Sequence, residues 1–396
     1  MRARAGIVVW VVAGVLGGLP VLGQAEIAYA RLTTEVTGEQ FTAGSQGAAM
    51  SPDGGVVAFV STSTNIGEPS NGTLNVYLYD LFADTYYLAT DILGTGNSSA
   101  PSVAASGGAV AFESLADNFG GGVASGYSDV FYSAAFDAGG GAVGFTTTRV
   151  SNATGGVAAN GSSRTAAVSA DVRWVAWRSD ASNLVAGDSN GAPDIFIADA
   201  TNAFATPQRV SVDNAGGQIN GYSRALSPNA LSADGRLVVF AVDTPVSIDG
   251  SNAGTLEDVF VRDRTAATTR LVSKNTAGQA GNNSSDQPSI SPNGRYVAFR
   301  SFSSNLVATP SGSAIYVRDR QTSTTTNMPL PPGAQICGEP RISDFGDIVA
   351  RCSMLAAQEQ VFLYRVTEGG VFYQLSTAQG GGNGNGGRGN GNGRNR

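Results

Sequence analysis

The run Ser291-Pro292-Asn293-Gly294-Arg295-Tyr296-Val297-Ala298-Phe299 decides the fold, because the chain writes versions of it six times. Asn-Gly supplies the positive-φ residues of a tight hairpin. The β-branched and aromatic residues that follow prefer the pleated surface of a strand. Other copies occupy 50–59, 105–112, 169–177 and 232–240, and a degenerate one occupies 343–350. Self-similarity at a near-fixed period means stacked units, none of which buries its hydrophobic face alone.

Each unit holds more than the hairpin. A short strand enters the turn and a second leaves it. A Ser-x-x-x-Asn element comes next: Ser61 and Asn65, Ser114 and Asn118, Ser179 and Asn183, Ser301 and Asn305. Ser and Asn side chains bond nearby backbone, so the element reads as the start of a structured loop. A third strand carries an aromatic at Tyr77, Phe131, Phe196, Phe260, Tyr316 and Phe362, and a Thr/Arg/Val-rich fourth strand follows. Four short hairpin-joined strands per unit make a propeller blade. The expected fold is therefore all-β, a six-bladed β-propeller of four-stranded antiparallel blades. A β-sandwich is the other all-β reading, but its strands would not recur as a four-strand cassette.

These residues resemble the TolB-like, PD40 type of WD40-like β-propeller repeat. The resemblance lies in the Ser-x-Asp-Gly-Arg-x-Val-x-Phe turn and strand, in the Asn-Leu-Val-x-Gly-Asp-x-Asn-Gly loop at 183–191, and in Asp258-Val259-Phe260-Val261-Arg262-Asp263. It covers about residues 30–376. TolB-like translocation proteins carry an extra N-terminal α/β domain, whereas these repeats begin almost directly after the leader. The partner contacts of TolB are therefore not carried over.

Residues 1–25 read as a secretory signal. Arg2 and Arg4 precede an apolar run broken by Gly17, Gly18 and Pro20, and Gly23-Gln24-Ala25 fits a small-x-small cleavage site. The apolar run is short for a membrane span of about 20 residues, so no transmembrane anchor is expected. Residues 26–376 form the propeller. Residues 377–396, rich in Gly, Asn and Arg, cannot bury a core and read as a disordered tail. Both 27–33 and 371–376 resemble a fourth strand. The N-terminal one is expected to complete the last blade and hide its edge. The two cysteines, Cys337 and Cys352, flank the sixth hairpin, and folding about its turn sets them opposite each other. A cross-strand disulfide and a periplasmic or secreted location are expected together.

The formal charge is −7 and there is no histidine. An acidic chain is a poor partner for nucleic acid. The lack of histidine excludes a Ser-His-Asp triad and His-ligated metal. Two constellations remain. Entering strands should line the central channel, with small residues at Ala48, Pro101, Ala166, Asn229, Pro288 and Pro340. Gln46, Arg164, Asp286, Gln287, Glu339 and Arg341 would then form a mixed-charge mouth able to hold a small polar ligand or a peptide end. The loops between second and third strands should share one face with the connections between blades. There Asp188, Asn190 and Asp194 offer oxygen ligands for calcium, though calcium needs six to eight. Capping of loop amides by the same side chains is the structural alternative.

The sequence thus points to a monomeric, exported binding or scaffolding module for a protein, a peptide or a cell-envelope polymer, with no cofactor apart from the calcium candidate. A carbohydrate-active enzyme using Asp188, Asp194 and Glu339 is the rival. It requires two carboxylates about 5–10 Å apart across a pocket.

Overall fold

The computed structural model describes residues 41–119, 125–139, 142–243, 248, 256–308, 314–354 and 359–375. The leader (1–25), the 27–33 strand and the tail (377–396) lie outside the described residues. Six four-stranded antiparallel sheets follow one another along the chain as blades 1 to 6. Their first, innermost strands are Ser45–Met50, Ser98–Val103, Ser163–Val168, Tyr222–Ala225, Ser285–Ile290 and Ala334–Ile342. Second strands run from Val56–Ser61 in blade 1 to Ile348–Met354 in blade 6, and third strands from Asn75–Asp80 to Glu359–Arg365. Val371–Gln374 pairs with Glu359–Arg365 as the fourth strand of blade 6. The place expected for the N-terminal strand is thus filled from the other end of the chain, because the Gly369-Gly370 turn returns the chain directly onto its own third strand.

The repeated residues earn their places twice, within a blade and between blades. Within blades 1 to 5 the third-strand aromatic stacks on a second-strand aromatic: Phe59–Tyr77, Phe112–Phe131, Trp177–Phe196, Phe240–Phe260 and Phe299–Tyr316, at 5.8–6.2 Å between ring centres. Such pairs contribute about 0.5–1.5 kcal/mol beyond their buried area. Blade 6 has Ala350 opposite Phe362. A buried serine pair also joins the first two strands in four blades: Ser45–Ser61, Ser98–Ser114, Ser163–Ser179 and Ser285–Ser301, at 2.8–3.1 Å. In blade 6 the same register holds the disulfide Cys337–Cys352. Blade 6 therefore lacks the ring pair and has a covalent link where its neighbours have a hydrogen bond.

Between blades, the hairpin turns form a chain of hydrogen bonds on one side of the ring. Ser106 N–H donates to Asp53 Oδ2 (2.8 Å), Ala105 N–H to Ala170 O (3.3 Å) and Asp171 N–H to Ala233 O (3.1 Å). Ala233 N–H then donates to Pro292 O (2.7 Å) and Asn293 N–H to Asp344 Oδ1 (2.7 Å). Apolar clusters join the same five pairs of neighbouring blades; among the described residues, the sixth and first blades share none.

The opposite side carries the Ser-x-x-x-Asn loops. Asn183 Oδ1 accepts from Asn160 N–H (3.0 Å) and its Nδ2 donates to Ala158 O (2.9 Å). Asn305 makes the same pair of bonds to Asn282 and Ala280, and Asn118 to Thr95 and Leu93. The element is a structured loop start, and what it grips is the connection arriving from the preceding blade. We call this side the loop side and the other the turn side.

Candidate functional site at the channel mouth

Every first strand begins at the loop side and ends at the turn side. Five of them carry a bulge with a residue of left-handed backbone just after the start: Gly47, Ala100, Thr165, Gln287 and Glu339, with φ of 48–65°. A bulge bends its strand and re-aims the neighbouring side chains. The residues expected at the mouth are these bulge residues and their flanks. Gln46 precedes Gly47, Arg164 precedes Thr165, and Asp286 precedes Gln287, while Glu339 and Arg341 sit at the bulge of blade 6.

Most charges there are already matched. Arg300 forms a two-pronged pair with Asp286, with Nε 2.7 Å from Oδ1. Arg351 bridges Glu339 (2.9 Å) and Glu359 (3.3 Å). Arg178 pairs with Asp180 (3.0 Å) and donates to Ser223 O (2.9 Å). Glu113, absent from the sequence-based set, accepts from Ser99 Oγ (2.8 Å) and Thr165 N–H (3.3 Å). Its signal was its register, directly opposite the first-strand residue Ser99. Gln287 Oε1 accepts from Glu339 N–H (2.8 Å), tying blade 5 to blade 6. Arg341 is part-buried and donates to Pro340 O (3.2 Å); burial pulls its pKa below the usual arginine value. Gln46 and Arg164 are exposed. Exposed apolar side chains occupy the loop-side strand ends: Leu115 (63%) and Phe302 (40%) each follow the serine that ends a second strand, Tyr222 (52%) begins the first strand of blade 4, and the Phe302 ring lies 5.2 Å from the Arg300 guanidinium.

At the turn side blade 4 departs from the expected small-residue lining. The first strand of blade 4 ends at Ala225, and Asn229 belongs to an insert at 226–230 instead of the strand. Ser232 stands nine positions after Ser223 in blade 4, where Ser169 and Ser291 stand six after Ser163 and Ser285. Pro228 O accepts from Ser102 Oγ of blade 2 (2.9 Å), which also accepts from Val168 N–H of blade 3 (3.1 Å). Asn229 O accepts from Ile290 N–H of blade 5 (3.0 Å). The insert thus reaches past blade 3 to blade 2 on one flank and touches blade 5 on the other.

The calcium candidates lie elsewhere, in blade 3. Asp188 and Asp194 do come together, but around Arg209 (3.4 and 3.0 Å) and the Gln218 amide, which donates to both at 2.9 Å. Ser211 Oγ donates to Asp194 (2.6 Å). Asn190 turns away, donating to Ile219 O and accepting from Ala192 N–H. A guanidinium therefore stands between the two carboxylates where an ion would have to sit. Burial, with Asp188 beside it, pushes the Asp194 carboxyl up to about 6 despite Ser211 and Arg209. Glu339, the third acid of the enzymatic reading, is on the first strand of blade 6 in its pair with Arg351. Sequence spacing could not reveal Arg209, which reaches Asp194 only because the third and fourth strands pair.

No protein-family model and no curated protein matches the chain. It is similar to TolB from Acinetobacter baumannii, with 19% identity and a TM-score of 0.40 over 76% of this chain and 57% of that one. A putative TolB from Agrobacterium tumefaciens has 14% identity and a TM-score of 0.43, over 73% and 81%. A prolyl endopeptidase has 13% identity and a TM-score of 0.51, over 84% and 42%. The chain spans just 57% of the Acinetobacter protein. At such identities the likeness concerns fold alone, and the fold is a six-bladed β-propeller of four-stranded blades.

Proposed function

We propose that the protein is an exported binding module that takes a protein or peptide at the loop-side mouth of its channel. The observation that carries this reading is the mouth itself. The loop-side strand ends carry exposed Leu115, Tyr222 and Phe302, and exposed Arg164 and Gln46 and the paired charges of blades 5 and 6 lie on the same side of the ring. Apolar anchors ringed by polar groups are the anatomy of a protein-recognition patch. The Asp188 and Asp194 carboxylates are held by Arg209 and the Gln218 amide, and the cluster serves as a brace for the blade 3 loop. Export is supported by the reading of residues 1–25 and by the Cys337–Cys352 bond, which persists in oxidising compartments.

Selection of displayed random peptides on the immobilised protein tests the reading. Selected peptides should lose at least about tenfold in affinity for a Leu115→Asp/Phe302→Asp variant, as expected when central apolar anchors are removed. The variant should melt where the parent does, because both side chains are exposed. Peptides that bind parent and variant equally would place recognition away from the mouth.

A further inference from the structure

We infer that the channel is a blind socket for the C-terminal carboxylate of an extended peptide, with Arg164 as the group that fixes the anion. The inference rests on the peptide-binding reading above and adds the direction of entry and the chemistry of the captured end.

Three observations converge on it. First, the carboxylates around the mouth are engaged: Glu113 by Ser99 and Thr165 N–H, Asp180 by Arg178, Asp286 by Arg300, and Glu339 and Glu359 by Arg351. Asp243 accepts from Tyr222 N–H. Arg164, by contrast, is exposed and makes no hydrogen bond or ion pair among the described residues. Its register partner across the first two strands of blade 3 is Arg178. The equivalent pairs are Ser99 with Glu113 and Asp286 with Arg300. Like charges facing across a strand pair are unfavourable, and with Arg178 matched by Asp180, Arg164 is left as the exposed guanidinium of this strand pair without an ion-pair partner among the described residues. An incoming anion supplies that partner, and a carboxylate matches the planar fork of a guanidinium.

Second, the far end is obstructed. The 226–230 insert spans from Ser102 in blade 2 to Ile290 in blade 5 at the turn-side end of the first strands. Leu226 and Ala230 are buried, so the segment is packed in place. A chain entering from the loop side past Arg164 meets this floor at the level of Val168, four residues further along the strand, and cannot run through the ring. Third, Leu115 and Phe302 follow the loop-side ends of second strands and are exposed, offering apolar surface on that side to the last side chains of the peptide. Arg341 lies two residues beyond Glu339 toward the floor, a second guanidinium whose bond is to a carbonyl instead of an acid.

Retention of two hexapeptide pools on the immobilised protein tests the inference. The pools are identical and N-acetylated, one with free-acid and one with amidated C-termini. Hydrogen bonds to charged groups are worth about tenfold or more in affinity. The free-acid pool should be retained at least about tenfold better, and Arg164→Gln should erase that preference. Equal retention of the amidated pool would overturn the socket while leaving peptide binding at the mouth intact. Retention of neither pool would overturn both.

Discussion

The turn side and the loop side of this propeller are equally regular and differ in what they leave open. On the turn side each repeat residue is consumed by its neighbour. Five hydrogen bonds link successive hairpins, and Arg173, Arg236 and Arg295 each fork onto the aspartate ending the third strand of their own blade, Asp199, Asp263 and Asp319, at 2.6–2.7 Å. On the loop side the Ser and Asn elements are also consumed, yet the first-strand residue beside them is free to vary. That position holds Gln46, Ser99, Arg164, Asp286 and Gly338 in five blades. The repeat thus builds the wall, and its departures from itself carry specificity. This fits the general separation of fold from site.

The sharpest way to break this contrast is to place the same methyl group on each side. Gly235, at φ +64°, sits in a turn-side hairpin, where a Cβ would stand 2.3 Å from the Trp174 ring of the preceding blade. Gly155, at φ +87° in a loop-side connection, has nothing within 4 Å. Both substitutions incur the left-handed penalty of about 1 kcal/mol, but only the first adds overpacking of about 1–3 kcal/mol. Urea denaturation should therefore show Gly235→Ala losing roughly 3 kcal/mol and Gly155→Ala about 1. Equal losses would mean that the turn-side joint is soft.

A buried loop-side group gives the next largest effect, through pH. Asp194 has a raised carboxyl, about 6 against an ordinary value of 3.8, chiefly from burial. The folded state then holds a proton more tightly than the unfolded state. The stabilising contribution is full below about pH 4 and is lost as pH rises through about 6, on the order of 3 kcal/mol at most. Turn-side Asp199 and Asp319 do the reverse. Their arginine partners hold them down at about 2, so their contribution is lost as pH falls below 4 toward 2. The stability of the parent relative to Asp194→Asn should fall between pH 4 and 7. A flat difference would show that Arg209 keeps Asp194 ionised throughout.

The disulfide sharpens the comparison of blade 6 with its siblings. Cys337→Ser with Cys352→Ser rebuilds the buried serine pair of Ser98 and Ser114. Opening a link between residues 15 apart removes about 3 kcal/mol by the chain-entropy argument, and the new hydrogen bond returns about 1. A net loss of about 2 kcal/mol is expected from thermal unfolding. An unfolded double variant would mean that blade 6, with Ala350 in place of an aromatic, cannot close on hydrogen bonds alone.

The same particulars show what was legible in the sequence. The hairpin residues, the aromatic of the third strand and the Ser-x-x-x-Asn element each do one local job, and local jobs leave periodic marks. Cys337 and Cys352 were readable because a hairpin fixes their register. Arg209 between Asp188 and Asp194 was hidden, since that contact depends on which strand becomes the outer neighbour. The fourth strand of blade 6 was ambiguous because 27–33 and 371–376 carry similar residues. The 226–230 insert did leave a mark, three extra residues before Ser232. An alignment anchored on the turn absorbed them into the strand and set Asn229 beside Pro101.

Arg164 gives the smallest effect on stability, and its sign matters more than its size. A structural arginine such as Arg209, buried against two carboxylates, costs several kcal/mol when its charge is removed, because the acids are left uncompensated. Arg164 is exposed and faces Arg178 in register. Removing its charge relieves a repulsion of about 0.2–1 kcal/mol, which salt screens. Arg164→Gln should therefore leave the unfolding free energy within about 0.5 kcal/mol of the parent, or raise it slightly at low ionic strength, with the gain vanishing in high salt. A clear loss would identify Arg164 as part of the wall. Neutrality or a salt-sensitive gain would mean the chain keeps an unfavourable charge at the mouth for something other than its own stability.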